Sequence, residues 1–286
     1  MIRTQCKLMF LKRGFQISFS LMFAFAFLYP AFLILVGHMK GNDISAVPDR
    51  IYAYPFCDGA TASDVMYFVL PILSFFPFAT SFAIDRKLHA YYPLTARGGL
   101  RSYFFAKAIA CMLGGFIIFF IPLAVNILVN HLLMPQTMRN AVGGYMGNNM
   151  YEQYAQWVYN VADNPSLQPN WMTKFWVVHP QLTNLLSAAL VGCLGAVSSL
   201  VCYTSTFFIK KYTHFSVFPM LTLFTAGVML QGNSEDLTMS WSLIDYVKTG
   251  EFCSLSTFPF FWGVCALLVL LCGGILWWKS RQDLLD

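Results

Sequence analysis

Residues 104–129 read FFAKAIACMLGGFIIFFIPLAVNILV, and past Lys107 the stretch carries no charged side chain. A helix rising about 1.5 Å per residue needs roughly 20 residues to cross a hydrocarbon layer about 30 Å thick. This run meets that length. It also lacks a polar face that would let it lie between water and a protein core. Its natural solvent is lipid.

The rest of the chain has the same character. Of 286 residues, 57% are hydrophobic and 11% charged, and 28 phenylalanines stand beside 13 acids. Soluble domains carry roughly 25% charged residues. Mean hydropathy is +0.58. Five further apolar runs, at 15–36, 65–84, 180–209, 215–230 and 258–278, flank the one quoted. The expected fold class is therefore an all-α integral membrane protein with six transmembrane helices. Continuous apolar runs argue against a transmembrane barrel, whose strands alternate inward and outward residues.

Charge then sets the direction. Arg3, Lys7, Lys12, Arg13, Arg86, Lys87, Arg97, Arg101, Lys107, Lys210, Lys211, Lys279 and Arg281 fall on one side of the expected spans. Lys40, Arg50, Arg139, Lys174 and Lys248 fall on the other. The positive-inside rule places both termini in the cytosol. The net charge of +5 is then topology, and no basic cluster interleaved with aromatics points to nucleic acid. The start of the chain, MIRTQCKLMFLKRGF, does not read as a secretory signal, because the apolar run after it is too long and no small-residue cleavage site follows. Residues 1–14 are expected to form an interfacial amphipathic helix, and 15–286 a single six-span domain.

Three segments fall outside: 37–64, 134–179 and 231–257. Within the long one, Tyr151, Tyr154, Ala155, Val158 and Val161 recur at helical intervals before Asp163-Asn164-Pro165, the pattern of an amphipathic cover helix. Cys57 and Cys253 are the two cysteines in external loops and form the plausible disulfide pair. No Cys/His spacing resembles a metal site.

The spans hold no charge at mid-depth, which disfavours ion-coupled carriers. Asn126 is the polar residue best placed to mark a path. There is no HExxH, no Gly-x-Ser-x-Gly and no GxxxxGK[ST], so the chain is not expected to be an enzyme, and any ATP hydrolysis must occur elsewhere.

Inward of the quoted run lies the basic stretch AIDRKLHAYYPLTARGGLRSYFFAK, residues 83–107. Asp85 is expected to cap a short helix beginning at Arg86 and Lys87, Pro93 to stop it, and Thr95 to cap a further turn. Gly98-Gly99 permits a bend into the next span. The outcome is a cytosolic elbow presenting Tyr91, Tyr92, Arg97 and Arg101.

Six spans, inside termini, a basic amphipathic start and this elbow resemble the permease subunit of type-2 ABC exporters. That class includes bacterial drug, antibiotic-peptide and polysaccharide exporters and the membrane halves of G-subfamily pumps. Asp85, Pro93, Thr95, Arg97, Tyr103 and Lys107 sit where that family's elbow features fall, although its Glu-x-Gly-Thr element is missing and Tyr92 replaces a leucine. The resemblance implies an elbow that couples to a separate ATPase subunit holding ATP and Mg, and a second permease, identical or paralogous. It also implies a cavity between the second and fifth spans, with Phe75, Phe78, Phe82, Met220, Phe224 and Met229 as candidate lining and Asn126 beside them. Membrane lipids are the other expected partner, and a bacterial plasma membrane the expected location. The alternative is a membrane scaffold or sensor subunit whose external loop binds a peptide or cell-wall precursor.

Overall fold

The computed structural model describes residues 1–39, 53–56, 61–87, 99–134, 179–209, 213–232, 242–249 and 258–281. Among these the regular elements are helices: α1 Ile2–Leu11, α2 Arg13–Met39, α3 Thr61–Phe75, α4 Ser81–Lys87, α5 Leu100–Leu133 and α6 Pro180–Ser205. A 3-10 turn, Thr213–Val217, leads into α7 Phe218–Gly232, and α8 is Phe258–Lys279.

Four stretches are long and apolar enough to cross a membrane: Arg13–Phe32, Leu100–Leu133, Gln181–Ser205 and Phe260–Lys279. The chain is thus a membrane protein whose regular elements, among the described residues, are all helical. The second and fifth expected runs are apolar but not single long helices. Residues 65–84 divide into α3 and α4 around turns at 76–80. Pro77 lies just past the end of α3, where it supplies no N–H and disfavours helical backbone at Phe76. The fifth run divides into the 3-10 turn and α7, whose 15 residues rise only about 22 Å.

The core is built on α5 and α6. Their glycines let the two backbones meet: a Cβ on Gly115 would fall against the Gly195 carbonyl and 2.5 Å from Ser199 Oγ, and one on Gly195 would strike the Phe119 ring. Gly192 faces Phe116 and Phe120 in the same way. Small residues at a membrane helix crossing gain close packing, where lipid offers no hydrophobic drive for association.

Around this pair α3, α8 and α2 are each tied by a polar contact. Ser199 Oγ donates to the Ser74 carbonyl of α3 at 2.7 Å. Thr204 Oγ1 meets Cys272 Sγ of α8 at 3.3 Å. Asn126 Nδ2 of α5 donates to the Ala26 carbonyl of α2 at 2.6 Å, and its Oδ1 accepts from Asn130 Nδ2 at 3.0 Å. We expect Asn126→Leu to lower stability by about 1–2 kcal/mol, because Ala26 and Asn130 each lose a buried partner. A denaturation midpoint in mixed micelles measures this.

Of the four span-length stretches, the one in α6 is the most enclosed and the one in α8 the least. Along α8, Trp262, Leu267, Leu270, Leu271, Trp277 and Trp278 are all exposed, a surface suited to acyl chains.

At 34 residues, α5 extends about 51 Å, well beyond a hydrocarbon layer of about 30 Å. α1 follows its first turns. Ser102 Oγ contacts Met1 Sδ at 3.5 Å, and Met9 Sδ fills the space left by the missing side chain of Gly114. Residues 2–11 are therefore helical, and they pack along α5 with Gln5 and Met9 buried and Arg3, Lys7, Leu8 and Phe10 outward.

Candidate functional site

Where α4 ends and α5 begins, one carboxylate gathers the local chemistry. Tyr103 and Lys107 are four residues apart on α5 and so share a face. Tyr103 Oη and Lys107 Nζ both donate to Asp85 Oδ2, each at 2.5 Å. The Lys107 side chain is 1% exposed and that of Asp85 24%. The ammonium also lies 4.9 Å from the Tyr103 ring centroid and 5.5 Å from that of Phe78. A charge this buried requires such surroundings: a carboxylate at contact, and ring faces instead of water.

Asp85 therefore does not cap a helix starting at Arg86. The helix already begins at Ser81, Asp85 is inside it, and its side chain is turned to α5. A contact with a buried ammonium stabilises a carboxylate more than a bond to a solvent-accessible backbone N–H does.

The site has two borders. On one, Lys12, at the α1–α2 junction, places its ammonium 5.0 Å over the ring of Phe78. On the other is an aromatic box. Phe82 and Phe104 lie 5.3 Å apart, and Phe207 stands 4.6 Å from Phe82 and 5.0 Å from Phe104. Tyr203 packs on Phe207 at 5.3 Å, and its buried hydroxyl has no hydrogen-bond partner among the described residues.

The same end of the bundle holds Arg3, Lys7, Lys12, Arg13, Arg86, Lys87, Arg101, Lys107, Lys279 and Arg281, against Asp85 as the one acid there among the described residues. Lys279 reaches over Phe208, next to the box, at 6.0 Å, and Arg281 lies 3.8 Å over Trp277.

Of the elbow residues singled out in the sequence, Arg86 and Lys87 form the last turn of α4, and Arg101 is exposed in the first turn of α5. Gly99 enters α5 at φ +73°, a backbone that side chains rarely adopt. Tyr91, Pro93, Thr95 and Arg97 lie outside the described residues. Of the candidate lining residues, Phe75, Phe78, Phe82, Met220 and Phe224 are buried within one apolar cluster, and Asn126 is fully buried. Met229 is 71% exposed. Phe78 and Phe82 have identifiable neighbours there, the first under two ammonium groups and the second in the aromatic box. Sequence reading placed Tyr103 and Lys107 among the elbow features by resemblance, without pairing either with Asp85, and missed Lys12 as a site residue. The signal for the first was the four-residue spacing of Tyr103 and Lys107.

At the opposite end, two short segments are enclosed. Tyr54 Oη meets Ser187 Oγ at 3.0 Å, Ser187 Oγ donates to the Val247 carbonyl, and Thr249 N donates to the Phe56 carbonyl at 2.9 Å. Thr249 Oγ1 donates to Asn184 Oδ1 at 3.1 Å. Cys57 and Cys253 lie outside the described residues, as does most of the segment 134–179. No protein-family model matches the chain, and no curated protein or solved structure matches it either.

Proposed function

We propose that this chain is the permease subunit of an ATP-driven exporter, with six membrane spans, cytosolic termini and a cytosolic elbow between the second and third spans. The observation that carries this reading is the clamp at the base of the elbow. Asp85 precedes it, Tyr103 and Lys107 follow it, and both donate to the Asp85 carboxylate. A segment cinched at both ends transmits a push to α4 and α5 together. A freely hinged loop would absorb it. The chain contains no GxxxxGK[ST] motif, so ATP and Mg belong to a partner ATPase. The buried Phe75, Phe78, Phe82 and Phe224 then become cavity wall only when the helices part. In that reading the cargo is amphipathic, peptide-like or lipid-like, a second permease completes the cavity, and the location is a bacterial plasma membrane.

Gentle extraction from the native membrane, followed by identification of what co-purifies, tests the proposal. A stoichiometric soluble subunit with GxxxxGK[ST] is the expected result, and its absence even after mild cross-linking defeats the reading. With that complex in hand, Arg97→Glu with Arg101→Glu is expected to lower coupled ATPase activity about tenfold, the loss of a few interfacial charge contacts. The thermal unfolding of the permease should stay unchanged.

A disulfide between Cys57 and Cys253 belongs to the same proposal. The Thr249–Phe56 backbone bond joins the described segments 53–56 and 242–249, which are the ones nearest the two cysteines in sequence. Non-reducing peptide mapping is expected to recover the linked pair, and recovery of two free thiols would remove it.

A further inference from the structure

Lys12 is half-buried, yet no carboxylate lies within ion-pair distance of it among the described residues. Asp85, the carboxylate whose charge acts on it, is already bonded to Lys107 and Tyr103 through Oδ2. Burial lowers the Lys12 pKa below that of an ordinary lysine, and the attraction of Asp85 offsets this only in part. The residue stands at the bend between α1 and α2, in extended backbone at φ −72° and ψ 133°. Immediately before it, Phe10 and Leu11 are 43% and 67% exposed. Immediately after it, Arg13 is exposed.

An underpaired cation against exposed apolar surface, at the basic end of a membrane bundle, is complementary to one kind of molecule. Free phosphate would satisfy the charge and leave Phe10 and Leu11 in water. A neutral lipid would cover the apolar pair and leave the ammonium without a counter-ion. We propose that the α1–α2 bend binds an anionic phospholipid, its phosphate on Lys12 and Arg13 and its acyl chain over Phe10 and Leu11. The site does not depend on what the chain transports or whether it transports at all.

The test uses the full chain in vesicles of phosphatidylcholine mixed with an equal part of phosphatidylglycerol. After mild detergent extraction, native mass spectrometry reads the ratio of the two lipids retained. Wild type is expected to be enriched in phosphatidylglycerol. Lys12→Gln should reduce that enrichment about fivefold, the share of one lysine near an anionic surface, while Lys12→Arg and Lys279→Gln, on another helix, keep it. Phe10→Gln, on an exposed side chain, should lower total lipid retention and covers the case in which Lys12→Gln does not fold. Equal retention of both lipids by wild type overturns the proposal. So does unaltered retention in both Lys12→Gln and Phe10→Gln. Displacement of the lipid by millimolar inorganic phosphate would also overturn it, by assigning the site to a free anion.

Discussion

Asp85→Ala is expected to destabilise the protein by about 3–5 kcal/mol, because it strands a buried ammonium. Lys107 is 1% exposed and reaches no other carboxylate among the described residues. Its ring contacts with Tyr103 and Phe78 soften the loss without replacing a charge. Lys107→Met should cost less than Asp85→Ala, since the partly exposed carboxylate can turn to water and keeps the Tyr103 hydroxyl. The decisive comparison is the double variant Asp85→Leu with Lys107→Met, which removes both charges and should recover most of the stability lost in Asp85→Ala. Unfolding in mixed micelles of rising denaturing-detergent fraction measures all three. A double variant as unstable as the sum of the singles would mean that the ion pair is not the source of the effect.

Gly115→Leu is expected to be at least as damaging, by about 3 kcal/mol or more, because the obstacle is backbone. Space for a side chain at that point is taken by the Gly195 carbonyl and Ser199 Oγ. A flexible side chain can turn aside; a helix carbonyl moves only with its helix. α5 and α6 would have to separate, and Ser199 would draw away from the Ser74 carbonyl of α3. The protein should express poorly and lose its monodisperse elution after mild heating. Gly263→Leu is the matched control, because nothing lies within 4 Å of that position, and it should behave as wild type.

The long helices were legible because lipid imposes a length and a composition that few other environments demand. α5, α6 and α8 lie close to their expected runs for that reason. The division of the second run was not legible. Pro71 lies inside α3 and leaves it intact, while the break follows at Pro77. Two prolines in the same apolar run thus have opposite outcomes. Asp85 was recognised as structurally meaningful and given the wrong partner. Local rules favour a cap, and the ammonium that claims the carboxylate is 22 residues further on. Lys12 offered no such hint, since its place over Phe78 exists only once α1, α3 and α5 are assembled.

That assembly has an order in time. Met9 seats in the notch at Gly114, about a hundred residues later in the chain, which at ribosomal speed is roughly 5–20 s of synthesis. Throughout that interval the first helix lacks the α5 notch that takes Met9, and its exposed Leu8, Phe10 and Leu11 must wait at the bilayer surface. The nascent chain is therefore vulnerable at α1 until the α5 run has been inserted, and a slow step there would leave a basic, oily helix open to proteases. Quality control acting on this protein would find a signal at α1 before α5 exists to cover it.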